Sequence, residues 1–250
     1  MTLQTHHFDH EKFARVYNQA WGPQYCDRIP LIEKLLLPYM PPGANILDLC
    51  CGTAQTTRQI INRGYQVTGI EEFKDMLNYA HQNVPDGKFI LNNIRTFELP
   101  PTFHGIYSIT HGLDYVMTLD ELKSVFKKTY QALLENGIFL LFLRLIGHSQ
   151  TYYNQNGKVI DGDVTDNLAW AIGSKYHPEQ QISELLCTAF ELLEEKWQRS
   201  DFIWLLKSYT RTEIESVLAE VGFADVKIYD NKGNLAEPDY DRVAYFVCRK

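Results

Sequence analysis

Between Glu11 and about Met40, apolar residues return every three or four positions, at Phe13, Val16, Tyr17, Ala20 and Trp21, and this spacing predicts helix. Gly22-Pro23 interrupts the pattern, which resumes to Leu37 before Pro38, Pro41, Pro42 and Gly43 stop it. Short apolar runs then alternate with amphipathic stretches. The expected order is strand 45–49, helix 54–63, strand 65–70, helix 73–83, strand 88–91, strand 104–110, helix 119–134 and strand 137–145. Strands alternating with helices of this length build a parallel, doubly wound α/β sheet with helices on both faces.

The rhythm changes from about Gln150 to Lys207, where polar and apolar residues alternate around a turn at Asn154-Gln155-Asn156-Gly157 and a bend at Gly162, the mark of antiparallel strands. Thr210, followed three residues later by Glu213, caps a helix over 211–221, and strands near 223–229 and 242–249 return the chain to the main sheet. The expected organisation is a main unit from 1–149 and 208–250, a mostly parallel seven-stranded Rossmann-like sheet, interrupted by an antiparallel β insert over 150–207. No internal repeat or low-complexity segment breaks this pattern.

A chain of 250 residues, 45% hydrophobic and 22% charged, is long enough for one substantial core with an appended lobe. Its 24 basic and 31 acidic residues leave a formal charge of -7, and no Lys/Arg cluster stands ready to neutralise a run of phosphates, so nucleic acid is not expected as a partner. No apolar run approaches the roughly 18 residues of a membrane span, and Met1–His7 lacks a secretory pattern, which makes the cytoplasm the expected location. Five cysteines, at 26, 50, 51, 187 and 248, form neither a disulfide framework nor a metal-ligand spacing. His6, His7 and His10 are read as incidental to the terminus, and no metal is expected.

The chemistry concentrates where the first strand ends. Ile46-Leu47-Asp48-Leu49 runs into the small-residue turn Cys50-Cys51-Gly52-Thr53-Ala54 and then a helix, and the second strand ends in Glu71, twenty-three positions after Asp48. A dinucleotide loop wants three spaced glycines to admit a pyrophosphate, and here only Gly52 remains, which argues against NAD or FAD. Asp48 would receive an ammonium group, directly or through water, and Glu71 would accept both hydroxyls of a ribose. Asn93, in Asn92-Asn93-Ile94-Arg95 after the third strand, lies where an adenine edge would be read; a simple turn role explains it as well. One acid for an amino-acid end and one for a ribose describe a nucleoside ligand without phosphate.

Ile46–Ala54, Val67-Thr68-Gly69-Ile70-Glu71 with Met76-Leu77, Asn93-Ile94-Arg95 and Leu133-Leu134-Glu135-Asn136-Gly137-Ile138-Phe139 together resemble the class I S-adenosylmethionine-dependent methyltransferases. The resemblance spans roughly residues 10–145 and resumes at 209, and it is nearest the small-molecule branch that contains glycine and sugar N-methyltransferases. It implies S-adenosylmethionine as cofactor, bound by Trp21, Asp48, Gly52, Glu71 and Asn93, and methyl transfer to N or O of a small-molecule acceptor under the insert. The sequence departs from the family pattern at Cys50 and Ala54, where glycine is usual, and at Asn93 and His104, where aspartate is usual. These departures keep open an alternative: a protein of this fold that binds the donor without methyl transfer, as a regulator or as a lyase or cyclase.

Methyl transfer from a sulfonium needs alignment and dryness more than a protein nucleophile. His111, in the segment after the fourth strand, is the expected base or acceptor-orienting group, with Asp114 holding it; an ordinary loop histidine is the competing explanation. Tyr17, Trp21 and Tyr25 recur every four residues; Tyr17 and Trp21 are carried as an aromatic face for a sulfonium, against a plain core role. In the insert, Tyr152, Tyr153, Trp170, Tyr176, Trp197, Phe202 and Trp204 would wall the acceptor, or pack as a sheet and a homodimer face.

Overall fold

The computed structural model describes residues 9–250. His6 and His7 lie outside the described residues. The chain begins with α1 (His10–Gln19), whose N-terminus is capped by the Asp9 carboxylate accepting from Lys12 N–H at 3.1 Å. The helix ends at Ala20, and the chain turns through α2 (Trp21–Gln24) and a 3₁₀ turn, Tyr25–Arg28, into α3 (Ile29–Leu35). The Gly22-Pro23 break predicted from sequence is therefore a chain of short helices rather than one interrupted rod.

The main sheet follows in alternation: β1 (Asn45–Leu49), α4 (Gln55–Ile61), β2 (Gln66–Glu71), α5 (Lys74–Asn83), β3 (Lys88–Leu91), β4 (Phe103–Ser108), α6 (Leu119–Ala132) and β5 (Leu133–Arg144). β5 starts four residues before the expected position, because Leu133 already pairs with Phe103 and Asn136 takes up a left-handed backbone, φ 62°, to re-enter the ladder. After the one-turn α7 (Ile146–His148) and a π-turn at Ser149–Tyr153, the insert forms a four-stranded antiparallel sheet: β6 (Val159–Val164), β7 (Leu168–His177), β8 (Ile182–Leu193) and β9 (Lys196–Lys207). Then α8 (Arg211–Val221), whose Thr210/Glu213 capping box forms as expected, β10 (Asp225–Tyr229) and β11 (Val243–Arg249) complete the large sheet.

Its order is β10-β11-β5-β4-β1-β2-β3, parallel except where β11 runs against both neighbours. Period-2 alternation divides the core. Phe139, Leu141 and Leu143 of β5 pack on the α6 and α8 side with Leu122, Phe126 and Leu218, whereas Ile138, Leu140 and Phe142 face Ile32 and Leu36 of the α3 region. Asp48 of β1 sits opposite Tyr107 of β4, so the order reverses between these strands and opens a crevice at their carboxyl ends. The insert sheet closes over that crevice. A third core joins Phe13 and Trp21 to Trp170, Leu185 and Phe202 of the insert, and the part-buried ion pair Arg15–Glu191, at 2.8 and 3.0 Å, fixes α1 to β8.

Candidate active site

The turn after β1 is held by its backbone. Cys50, Gly52 and Ala54 all adopt left-handed conformations, φ 63°, 57° and 65°, which is why the family pattern favours glycine at these places. Cysteine and alanine occupy two of them without changing the turn. The loop is tied to β2 at both levels: Cys51 N–H donates to Ile70 C=O at 3.0 Å, and Gly52 N–H donates to Glu71 Oε2 at 3.1 Å. The other carboxylate oxygen, Oε1, accepts from Glu72 and Phe73 N–H at 2.9 and 3.1 Å. Burial nevertheless outweighs these donors and raises the Glu71 carboxyl to about 7.

Across the loop stands Tyr17. A Cβ built on Gly52 would come within 3.1 Å of the Tyr17 hydroxyl and 3.2 Å of its ring, so glycine is required by space as well as by backbone. The same helix is bound to the turn through Asn18, whose amide oxygen accepts from Gln55 Nε2 at 2.8 Å and from Asn83 Nδ2 at 2.7 Å. Although α1 ends before Trp21, the three aromatics converge: Tyr17 lies 6.0 Å from Tyr25 and 6.3 Å from Trp21, centroid to centroid. The Trp21 indole N–H is buried without a hydrogen-bond partner among the described residues.

One cavity of about 1610 Å³ joins these parts. Gly52, Glu71, Tyr17, Trp21 and His111 line it, together with Arg28, Arg144, Tyr153 and the inner-face residues Ile172, Leu185 and Trp204 of the insert. This exceeds the roughly 300–1,000 Å³ of a single small-molecule site and leaves room for two ligands side by side.

Two expected residues stand back from it. Asp48 is not part of the wall: its Oδ2 accepts from Thr57 Oγ1 at 2.6 Å, Tyr107 OH at 2.8 Å and Thr56 Oγ1 at 3.4 Å beneath the loop. Asp48, expected to receive an ammonium group directly or through water, braces the loop from beneath here, and burial raises its carboxyl to about 6. Asn93 is turned into its own loop, accepting from Arg95 N–H at 2.8 Å and donating to Glu72, while Asn92 and Ile94 line the cavity instead. Asn92 is bonded within the loop as well, its Oδ1 accepting from Asn93 N–H at 2.8 Å and Thr96 Oγ1 at 3.3 Å. The His104 departure lies far from this chemistry, since its Nδ1 accepts from Asn45 N–H at the start of β1.

His111 does line the cavity, with Nδ1 2.9 Å from Asp114 Oδ2 and the Arg144 guanidinium against its ring. Burial and then the Arg144 charge push its pKa down to about 3, so the imidazole is neutral at working pH and far too weak a base to retain a proton. Of the two roles expected from sequence, this geometry favours orienting an acceptor. The Tyr17 hydroxyl, raised well above its ordinary range by burial, stays protonated. Sequence reasoning missed Arg28 and Arg144. An arginine closing the wholly apolar run Ile138–Leu143 at the ligand-binding edge was a visible signal for Arg144; nothing local distinguishes Arg28.

Residues 46–137 match the family model described as a methyltransferase domain. A Geobacillus sp. (strain WCH70) protein named "putative methyltransferase" is 24% identical over 248 residues, covering 96% of this chain and 99% of the relative. The dTDP-4-amino-2,3,4,6-tetradeoxy-D-glucose N,N-dimethyltransferase of Saccharopolyspora spinosa is 23% identical over 218 residues, 85% of this chain and 80% of the relative. Among solved structures, Streptomyces venezuelae DesVI superposes with a TM-score of 0.77 at 19% identity, covering 96% of this chain and 98% of that one. The fold is that of the class I methyltransferases, and the matched segment runs from β1 into β5. Over most of its length the chain is similar to S-adenosylmethionine-dependent methyltransferases. Among the described residues no helix is long and apolar enough to cross a membrane.

Proposed function

We propose that the protein transfers the methyl group of S-adenosylmethionine to a nitrogen or oxygen of a small-molecule acceptor, and that an amine is the acceptor group. The observation that carries this reading is the single cavity running from Glu71 and the Gly52 turn, past Tyr17, Trp21 and Tyr25, to His111 and the insert. Glu71 accepts the ribose hydroxyls, and Asn92 reads the adenine edge in place of Asn93. The unpartnered Trp21 N–H and the Arg28 guanidinium receive the donor's carboxylate, while Asp48 acts through Thr56, Thr57 and Tyr107 to hold the loop.

The aromatic rings surround a sulfonium with electron-rich faces. In the step itself, the acceptor lone pair forms the new bond to carbon in line with the departing C–S bond, whose electrons remain on sulfur as a neutral thioether. The nitrogen then carries the positive charge and releases a proton to water. Alignment and exclusion of solvent by the insert supply the rate. His111, neutral and fixed by Asp114, orients the acceptor. The amino-sugar specificity of the Saccharopolyspora relative supports an amine acceptor. A cytoplasmic enzyme without nucleic-acid partners, with residues 150–207 as its acceptor-covering unit and the outer insert face as a homodimer contact, completes the reading.

Calorimetry with S-adenosylmethionine and S-adenosylhomocysteine tests the donor half, with micromolar binding expected and no binding at millimolar ligand refuting it. Mass-spectrometric detection of S-adenosylhomocysteine across a panel of amines, phenols and carboxylates tests transfer. Binding with no conversion over the whole panel would move the protein to the non-transferring alternative.

A further inference from the structure

At the adenine end of the cavity the two asparagines leave one hydrogen-bond role unfilled. The ends of β2 and β3 lie side by side, with Asn92 N–H donating to the Glu71 carbonyl at 3.0 Å, so Glu72 follows β2 next to the Asn92-Asn93 pair that follows β3. Phe73, Met76 and Ile94 line the cavity here and offer apolar faces to a planar base. The edge of an adenine away from its sugar shows two polar groups: N1, which accepts, and the 6-amino group, which donates. A matching protein edge therefore needs one donor and one acceptor.

Asn93, at the place where the family usually has aspartate, does not supply the acceptor. Its Oδ1 already accepts from Arg95 N–H at 2.8 Å and from the Arg95 guanidinium at 3.5 Å. Nor does Asn92, whose Oδ1 is taken by Asn93 N–H and Thr96 Oγ1 and whose remaining polar atom, Nδ2, only donates. Glu72 is different. It lines the cavity, and only its Oε2 is engaged, by the Asn93 amide, while Oε1 has no hydrogen-bond partner among the described residues.

We propose that Glu72 selects the base of the donor: its free oxygen accepts from the adenine 6-amino group, Asn92 Nδ2 donates to N1, and Asn93 holds the other carboxylate oxygen in place. This rests on the donor half of the methyl-transfer reading and adds what distinguishes adenine from other purines. The acceptor that the family pattern puts after β3 has moved to the residue that follows the ribose-binding acid of β2. Asparagine at 93 permits the move, because an aspartate there would repel Glu72 instead of donating to it. One of the departures that kept the non-transferring alternative open is then a compensated exchange.

The test compares S-adenosylhomocysteine with S-inosylhomocysteine by calorimetry on the full chain. In the second ligand a 6-oxo group and a protonated N1 reverse both hydrogen-bond roles. The wild type should bind the adenine form at least about 30-fold more tightly. In Glu72→Gln, Asn93 Nδ2 still needs an acceptor and takes the glutamine oxygen, which turns the glutamine NH₂ toward the base. S-adenosylhomocysteine should then weaken about tenfold while S-inosylhomocysteine gains about threefold. Glu72→Ala, which supplies neither role, should give a ratio of affinities between those of the wild type and Glu72→Gln. A merely structural role would move both ligands in the same direction. Equal affinity of the wild type for the two ligands, or parallel changes in Glu72→Gln, would overturn the proposal and leave the donor reading standing. Absence of S-adenosylhomocysteine binding would overturn both.

Discussion

The two ends of the cavity are built by different means. At the donor end the working parts are backbone groups: three left-handed residues in one turn, three N–H groups braced on Glu71, and a glycine pressed against Tyr17. At the acceptor end they are side chains from distant segments, Arg28, His111, Arg144, Tyr153 and Trp204, gathered by tertiary packing. A backbone-built end fits a ligand that never changes, whereas a side-chain-built end can be recut residue by residue for a different acceptor. The two meet at α1, which carries Tyr17 to the turn and Arg15 to the insert.

The largest effect is expected where that junction is broken. Glu191 is 2% exposed and receives both nitrogens of the Arg15 fork. Arg15→Ala leaves a buried carboxylate unpaired and should lower folding stability by about 3 kcal/mol in urea titration. Glu191→Gln, which removes the charge with its partner partly exposed, should cost less. If Arg15→Ala is neutral, α1 and the insert are held by the aromatic core alone, and the two ends are less coupled than their shared helix implies.

Next in size is the donor-end carboxylate. Glu71→Gln turns one oxygen into an amide donor facing a backbone N–H, and S-adenosylhomocysteine affinity should fall at least about 30-fold, roughly 2 kcal/mol, by calorimetry. The pH dependence has a definite sign. Burial raises the empty-site carboxyl to about 7, and only the ionised form accepts two ribose hydroxyls, so affinity rises with pH through this value. Methylthioadenosine, which lacks the titrating amino-acid end, should bind about tenfold more tightly at pH 8 than at pH 6. The stability contribution runs the other way: a raised carboxyl favours the ligand-free folded state below about 4.5 and loses that benefit as pH climbs through about 7. A flat binding profile would mean that the three N–H donors keep Glu71 ionised throughout.

The same contrast explains what could be read from the sequence. Donor-end residues fall within a few positions of one another along Asp48–Gln55 and Glu71–Phe73, where strand ends and turn residues mark the chain directly. The alternation of strands and helices, the Thr210/Glu213 cap and the antiparallel insert were legible for the same reason, being local patterns. How the two asparagine amides engage their loop was not, because Asn93 is held by Glu72 and Arg95 while Asn92 accepts from Asn93 N–H and Thr96. Asp48 was placed on the correct strand edge, yet three hydroxyls from α4 and β4 draw its carboxylate beneath the loop. Arg28 and His111 belong to segments 83 residues apart that only packing brings together around Phe142.

A smaller change tests how far the donor end depends on backbone alone. Gly52→Ala places a methyl group 3.1 Å from the Tyr17 hydroxyl at φ 57°, and it should cost about 1–2 kcal/mol of stability with a loss of donor affinity. Tyr17→Phe removes the hydroxyl but leaves a ring carbon 3.2 Å away, so the double variant should recover little of the loss. Full recovery would make the hydroxyl contact, rather than the backbone, the source of the requirement.

The smallest expected effect runs in the opposite direction. Ala54 stands at φ 65° immediately before α4, a conformation that an L residue adopts at a cost of about 1 kcal/mol. Ala54→Gly removes that strain and supplies a residue favoured at helix N-caps, but it adds backbone freedom to the unfolded chain. The two terms leave a gain of a few tenths to about 1 kcal/mol, read as a small rise in the urea midpoint at unchanged slope. Donor affinity should hold, because Ala54 is not among the residues lining the cavity and the turn already has the shape that glycine would take. If stability falls instead, the Ala54 methyl contributes more through packing with Cys51, Leu77 and Ala80 than its backbone strain removes, and the donor end depends on side chains as well.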